Sequence, residues 1–178
     1  MNTPVLSVRE IQQHDVPLIT EYWLSAEPAY LQAMGVDLTK MPGRQQWMGM
    51  LPEQISLPYR QKQSYCIIWL ADGKPIGHSN VNKIIFGEEA YLHLHIWHAP
   101  MRSMHLATGL IKLTLPYFFN NLQLKKVYCE PYALNPPPNK ALAKAGFVFI
   151  KEYITTPGTL NFEQPVRLWE IGREVVMV

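Results

Sequence analysis

Two histidines, His93 and His95, stand two apart in the stretch Glu89–Trp97 (EAYLHLHIW), where leucine or isoleucine alternates with larger polar residues. That alternation predicts a strand, and a spacing of two puts both imidazoles on one face. An imidazole that titrates near pH ~6.5 is largely neutral at pH 7 and can take a proton from a nucleophile. General-base chemistry is the first function this spacing offers, with His93 the leading candidate. The structural alternative is a pair of histidines hydrogen-bonded beneath covering helices. A metal site built from His93, His95 and His98 is disfavoured, because His98 has the opposite parity and no carboxylate is close in sequence. Arg102-Ser103-Met104-His105-Leu106-Ala107-Thr108-Gly109 follows at once. A turn from a strand into a helix start gathers free backbone N–H groups and the positive end of the helix dipole, which suits a phosphate. An ordinary helix start capped by Ser103 is the competing reading. Glu130, at the end of a short apolar run, suits an acid/base or orienting role, or a hydrogen-bonded strand end. Asn135 stands before Pro136-Pro137-Pro138, where an Asx-type turn would hold the proline run.

These residues need a scaffold, and the patterning supplies one. Leu6–Ile11 alternates and predicts a first strand. Asp15 is a plausible N-cap for a helix whose Leu18, Ile19, Tyr22 and Trp23 share one face, with Pro17 in the first turn. Pro28, Gly35, Pro42 and Gly43 break the next region into a short helix over Ala29–Met34 and a second over Arg44–Leu57, kinked near Pro52. Ser64–Ala71 reads as a buried strand, Asp72-Gly73 as a hairpin turn, and Pro75–Ile85 as its partner. The strand Ala90–Trp97 leads into a helix over Thr108–Asn120, with Pro116 expected to kink it. Val127–Glu130 is a short strand. Asn139–Ala145 is a helix closed by Gly146. Phe147–Tyr153 and Val166–Ile171 are strands joined by the loop Thr155–Pro165.

The bulk numbers bound the function. The 178 residues suffice for one domain with a real core. Formal net charge is +2 and the basic residues are scattered, which does not point to nucleic acid. No apolar run reaches the ~18 residues of a membrane span, and no signal peptide precedes Val5, so a cytoplasmic protein is expected. Cys66 and Cys129 lie in apolar runs and read as buried free thiols of a reducing compartment.

The order of elements, with particular residues in Leu92–Phe147, resembles the GNAT superfamily of acyl-CoA-dependent N-acyltransferases. The family's phosphate turn reads Arg or Gln, two residues, Gly, one residue, Gly or Ala. Arg102 and Ala107 match, and His105 stands where the first Gly is usual. Asn135, followed eleven residues later by Gly146-Phe147, matches the family's spacing. Pro138 replaces a common Ser, and Leu142 replaces the Tyr that often serves as general acid, so a tyrosine acid at that position is excluded. Leu92-His93 and Glu130-Pro131 partly resemble the siderophore-biosynthesis branch, whose members acetylate a hydroxylated lysine side chain, with Tyr132 where a second acid is common.

The resemblance implies a single acyltransferase domain over 1–178. Its fold would be α/β: a mixed, mostly antiparallel sheet of six or seven strands, helices on both faces, and a splayed central parallel pair formed by Ala90–Trp97 and Val127–Glu130. Acetyl-CoA would be the acyl donor. Its pyrophosphate would meet Arg102, Ser103 and the backbone of His105, Leu106, Ala107 and Thr108, and its pantetheine arm would run past Asn135. Backbone near Ile96 and Trp97, freed by the splay, would hold the thioester carbonyl. An amine or hydroxylamine acceptor, small molecule or peptide, would attack directly, with His93 as base and Glu130 orienting. Neither nucleic acid nor membrane is implied as a partner, and the chain would be a monomer or homodimer. The residues that choose the acceptor would lie in Ala26–Arg60 and Thr155–Pro165. A non-catalytic CoA-binding or degenerate module of the same fold is the alternative, with His105, Pro138 and Leu142 as its signs.

Overall fold

A computed structural model describes residues 3–102 and 105–177. Seven strands form one sheet in the order β1-β2-β3-β4-β5-β7-β6. They are β1 (Leu6–Glu10), β2 (Tyr65–Ala71), β3 (Lys74–Ile85), β4 (Glu89–Ile96), β5 (Lys126–Cys129), β6 (Val148–Thr155) and β7 (Gln164–Gly172). Neighbours run antiparallel except β4 and β5, which are parallel. The mostly antiparallel sheet with one central parallel pair is the arrangement expected from the sequence.

Helices cover both faces. On one lie α5 (Ala107–Asn121) and, packed on it, α6 (Pro136–Ala145), in one core with Tyr65, Ile67, Trp69 and Ala71 of β2. On the other lie α1 (Val16–Ser25), α2 (Pro28–Ala33) and α3 (Arg44–Ser56), over Cys66, Ile68 and Leu70. Both parities of β2 are therefore buried, which explains its unbroken apolar run. Trp69 is sealed between sheet and α5, its indole N–H donating to Thr114 at 2.9 Å. The short helices α4 (Ala99–Arg102) and α7 (Arg173–Val176) complete the chain.

Three local rules show through. Asp72 and Gly73 carry φ of 50° and 74°, the left-handed pair that a tight hairpin needs. Helix α6 begins at Pro136, earlier than the expected Asn139, because prolines in a first turn lose only N–H groups that have no helical partner anyway. Helix α5 runs unbroken through Pro116. The carbonyl left without a donor belongs to Lys112, on the solvent side, so the cost is moderated.

Candidate active site

The pairing of β4 with β5 ends at Leu92–Cys129, while β4 continues to Ile96. The two strands part there. Alternation along β4 decides which groups face the gap. The Trp97 amide donates to Ile76 of β3 at 2.9 Å, and the Leu92 carbonyl accepts from the Cys129 thiol at 3.0 Å on the opposite edge. Leu94 and Ile96 share the parity of Leu92, so their amides point into the gap. Of the backbone expected at Ile96 and Trp97, the Trp97 N–H is used within the sheet, and the amides directed into the gap are those of Leu94 and Ile96. Gly77 makes this end of β4 possible, because a Cβ there would sit inside contact distance of the His95 carbonyl.

The start of α5 is where the resemblance puts the anion site. Its N-cap is Leu106, whose own side chain makes no capping bond. His105 holds φ of 57°, the left-handed conformation that a glycine would adopt freely. The backbone path expected of glycine is therefore kept with a histidine in its place. Ser103 lies outside the described residues. The side chain of Arg102 has partners of its own. Its guanidinium donates to the carbonyls of Ile96 at 2.9 Å and Trp97 at 3.0 Å, and stacks 3.5 Å from the ring centre of Tyr30. It fastens the end of β4 to α2, a role the sequence reading did not foresee. Asn135 is the N-cap residue of α6, but its side chain makes no capping bond. The turn is instead held by Asn139, which donates to the carbonyls of Tyr132 and Asn135. The Asx-type reading of Asn135 therefore fails, and its amide remains beside the cavity.

That cavity, of about 470 Å³, continues from the gap toward the α1–α3 face. His93 and His95 both point to this side of the sheet, while Leu92, Leu94 and Ile96 join the core beneath α5. The two histidines differ. His95 is held among aromatic rings: its Nδ1 lies 3.3 Å from the Tyr22 hydroxyl, and its ring packs on Trp23 and stacks on His78 at 4.7 Å. His78 in turn accepts the Trp97 indole N–H at Nδ1, 2.8 Å away, and so is neutral with its proton on Nε2. His93 lines the cavity, and its Nε2 is buried with no partner. Burial, and after it the charge of Lys83, push His93 down to about 4, and burial takes His78 to about 3 and His95 well below the ordinary value. All three are neutral at physiological pH. The structural alternative considered for the pair thus describes His95 and not His93.

Glu130 also lines the cavity and is nearly buried. It accepts a short hydrogen bond from the Tyr153 hydroxyl and lies 3.5 Å from Lys83. Lys83 sits in a bulge of β3 with φ of 47°, stacked over Tyr91. Cys66 and Cys129 are buried free thiols, and desolvation raises both, so neither is primed as a nucleophile.

The wall over the cavity comes from two distant segments, those expected to face the acceptor. After α2, Val36 pairs with Asn161 of the β6–β7 loop, the Asp37 amide donates to the Leu160 carbonyl at 2.7 Å, and Asn161 donates to the Gly35 carbonyl at 2.9 Å. His78, Asn80, Asn82 and Trp47 line the cavity too and were not singled out from the sequence. The signal for the first three was present: polar residues at every second position of β3, opposite His95, His93 and Tyr91 in register.

An acetyltransferase (GNAT) domain model matches residues 6–148. The sequence matches none of the curated proteins with which it was compared. Among solved structures, the fold is similar to spermidine N-acetyltransferase from Vibrio cholerae in complex with CoA and spermine, with TM-score 0.78, 16% identity, and 97% of this chain and 98% of that one covered. It is similar to Mycobacterium smegmatis RimJ in complex with CoA-disulfide, with TM-score 0.78, 15% identity, and coverage of 97% and 84%. It is also similar to the aminoglycoside acetyltransferase AAC(6')-Ib in complex with coenzyme A, with TM-score 0.71, 16% identity, and coverage of 96% of each chain. With the parted β4–β5 pair in place, and with the family model spanning most of the chain, the protein belongs to the GNAT family of N-acetyltransferases, which take their acetyl group from acetyl-CoA.

Proposed function

We propose that this chain acetylates an amine nitrogen by direct attack on the thioester, with His93 receiving the proton that the nitrogen gives up. The observation that carries the reading is the unpartnered, buried Nε2 of His93 in a cavity that continues from the β4–β5 gap. Acetyl-CoA supplies an activated acyl carbon: the new C–N bond forms, the C–S bond breaks, and the sulfur leaves with the electron pair and takes a proton from solvent to be released as thiol, as His93 passes its own proton to solvent. The first amides of α5, from Leu106 to Thr108, would hold the pyrophosphate without a lysine cluster. Asn135 would meet the arm. The Leu94 and Ile96 amides, directed into the gap, would stabilise negative charge that develops on the carbonyl oxygen.

His93 is too weak a base to strip a free alkylammonium, which titrates near ~10.4. The amine therefore enters neutral, and the imidazole takes the proton as nitrogen becomes cationic on bonding to carbon. Glu130, fixed by Tyr153 and Lys83, steadies that transient imidazolium or the amine. The partial likeness to the hydroxylysine-acetylating branch rests on the same two residues and supports this division of roles.

Calorimetry with CoA tests the donor site, and thiol release with an amine tests transfer. Saturable binding of CoA is expected, with no acetylated enzyme seen by intact mass when acetyl-CoA is added alone. Absence of binding at millimolar CoA, or an acetyl-enzyme, overturns the reading.

A further inference from the structure

The wall of the cavity contains information about the amine that enters it. Among the described residues that line it, Glu130 is the single carboxylate, and no lysine or arginine is present. Glu130 already has Lys83 and the Tyr153 hydroxyl as partners. The rest of the wall is largely apolar and aromatic: Trp23 and Trp47 stack with ring centres 5.7 Å apart, flanked by Met34, Leu51 and Leu160. With Glu130 shared by Lys83, Tyr153 and the reacting centre, a positive charge elsewhere on the acceptor would lose its hydration and find no free counter-ion. An α-carboxylate would fare the same, for want of a cation. The wall does hold neutral polar atoms that are buried without partners: the Trp47 indole N–H as a donor, and Asn82 Oδ1 and Gln164 Oε1 as acceptors. Buried polar groups of this kind call for a partner, and a bound molecule is one.

We infer that the amine acceptor is a small monoamine whose nitrogen is its only ionisable group of consequence, carried on an aromatic or alkyl body with one neutral polar substituent. This rests on the acetyl-transfer reading and names the class of substrate for that site. The nitrogen lies at His93, the body lies against the Trp23–Trp47 pair, and the substituent meets the Trp47 N–H. Polyamines and free amino acids are excluded by charge, although the spermidine enzyme shares the fold.

The test is calorimetric titration of tyramine, phenethylamine, spermidine and lysine, with CoA saturating, followed by thiol release with the same four amines and acetyl-CoA. Tyramine and phenethylamine are expected to bind saturably, tyramine more tightly through its hydroxyl, with spermidine and lysine at least about tenfold weaker. Trp47→Phe, which keeps a ring on the wall, should erase the advantage of tyramine over phenethylamine. Spermidine or lysine binding as well as the arylalkylamines, or none of the four binding, overturns the inference. If CoA does not bind, the transfer reading falls, and the same titrations without CoA still read the preference of the cavity. If CoA binds and the order of amines is reversed, only the acceptor class falls.

Discussion

Replacing His93 by alanine and following the effect across pH separates a neutral buried base from an ordinary histidine. Burial and Lys83 hold His93 at about 4. Such a group is about 97% neutral at pH 5.5 and essentially fully neutral at pH 7.5, whereas an imidazole at ~6.5 goes from about 9% to about 91%. The amine's own ionisation also affects the rate, but it acts alike on wild type and His93→Ala, so the ratio of their kcat values isolates the imidazole. A positioned base is worth about 10²–10⁴-fold, and one whose pKa lies below the working pH has less driving force, so a ratio nearer 10² is expected, or about 2.7 kcal/mol. The assay is thiol release at saturating acetyl-CoA and amine, at intervals from pH 5.5 to 7.5. The ratio should be flat over that range, with CoA affinity little changed. A ratio near one refutes a proton-transfer role for His93. A ratio that falls about tenfold toward pH 5.5 refutes the buried neutral imidazole on which the mechanism depends.

Stability should respond to the same histidines. Folded His78 and His93 titrate at about 3 and 4 and His95 well below the ordinary value, while an unfolded histidine titrates near ~6.5. Below pH ~6.5 the unfolded chain binds more protons, so stability falls as pH drops toward 4 and is level above 6.5, each group losing up to about 1.4 kcal/mol per pH unit. Thermal unfolding at pH 5 should therefore begin well below its pH 7.5 temperature, and equal Tm values would contradict the burial. Gly77→Ala should destabilise by at least about 1–3 kcal/mol, since the added carbon meets the backbone of β4 rather than a side chain that can turn away. Its Tm should drop by roughly 2–4 °C per kcal/mol, and an unchanged Tm would show that β3 and β4 are not so close.

Much of the fold around the parted strands was legible in the sequence because it lies in one continuous run. Strand, turn, helix, strand and asparagine turn follow one another between Glu89 and Phe147, and each leaves a local pattern. His93 was legible by parity alone. What parity could not give was partners. The Trp97 amide and the Arg102 guanidinium are both used by groups fixed only once β3 and α2 are docked, so neither assignment could be read from spacing. His78 and Asn80 were overlooked because their importance comes from the register of β3 on β4. The identity of the wall residues was beyond reach, since Met34, Trp47 and Leu160 meet only in three dimensions.

The contact between Val36 and Asn161 also has a kinetic meaning. It closes roughly 125 residues of intervening chain, against about 37 for the first rung of the β4–β5 pair, and costs on the order of 1 kcal/mol more in loop entropy. The donor side can therefore assemble early from neighbours in sequence, while the cavity wall joins late and opens first. Native-state hydrogen exchange would show this as a faster Asp37 amide than the amides of β5. Insertions in the β6–β7 loop would alter which molecules enter while leaving the order of assembly of the donor side untouched.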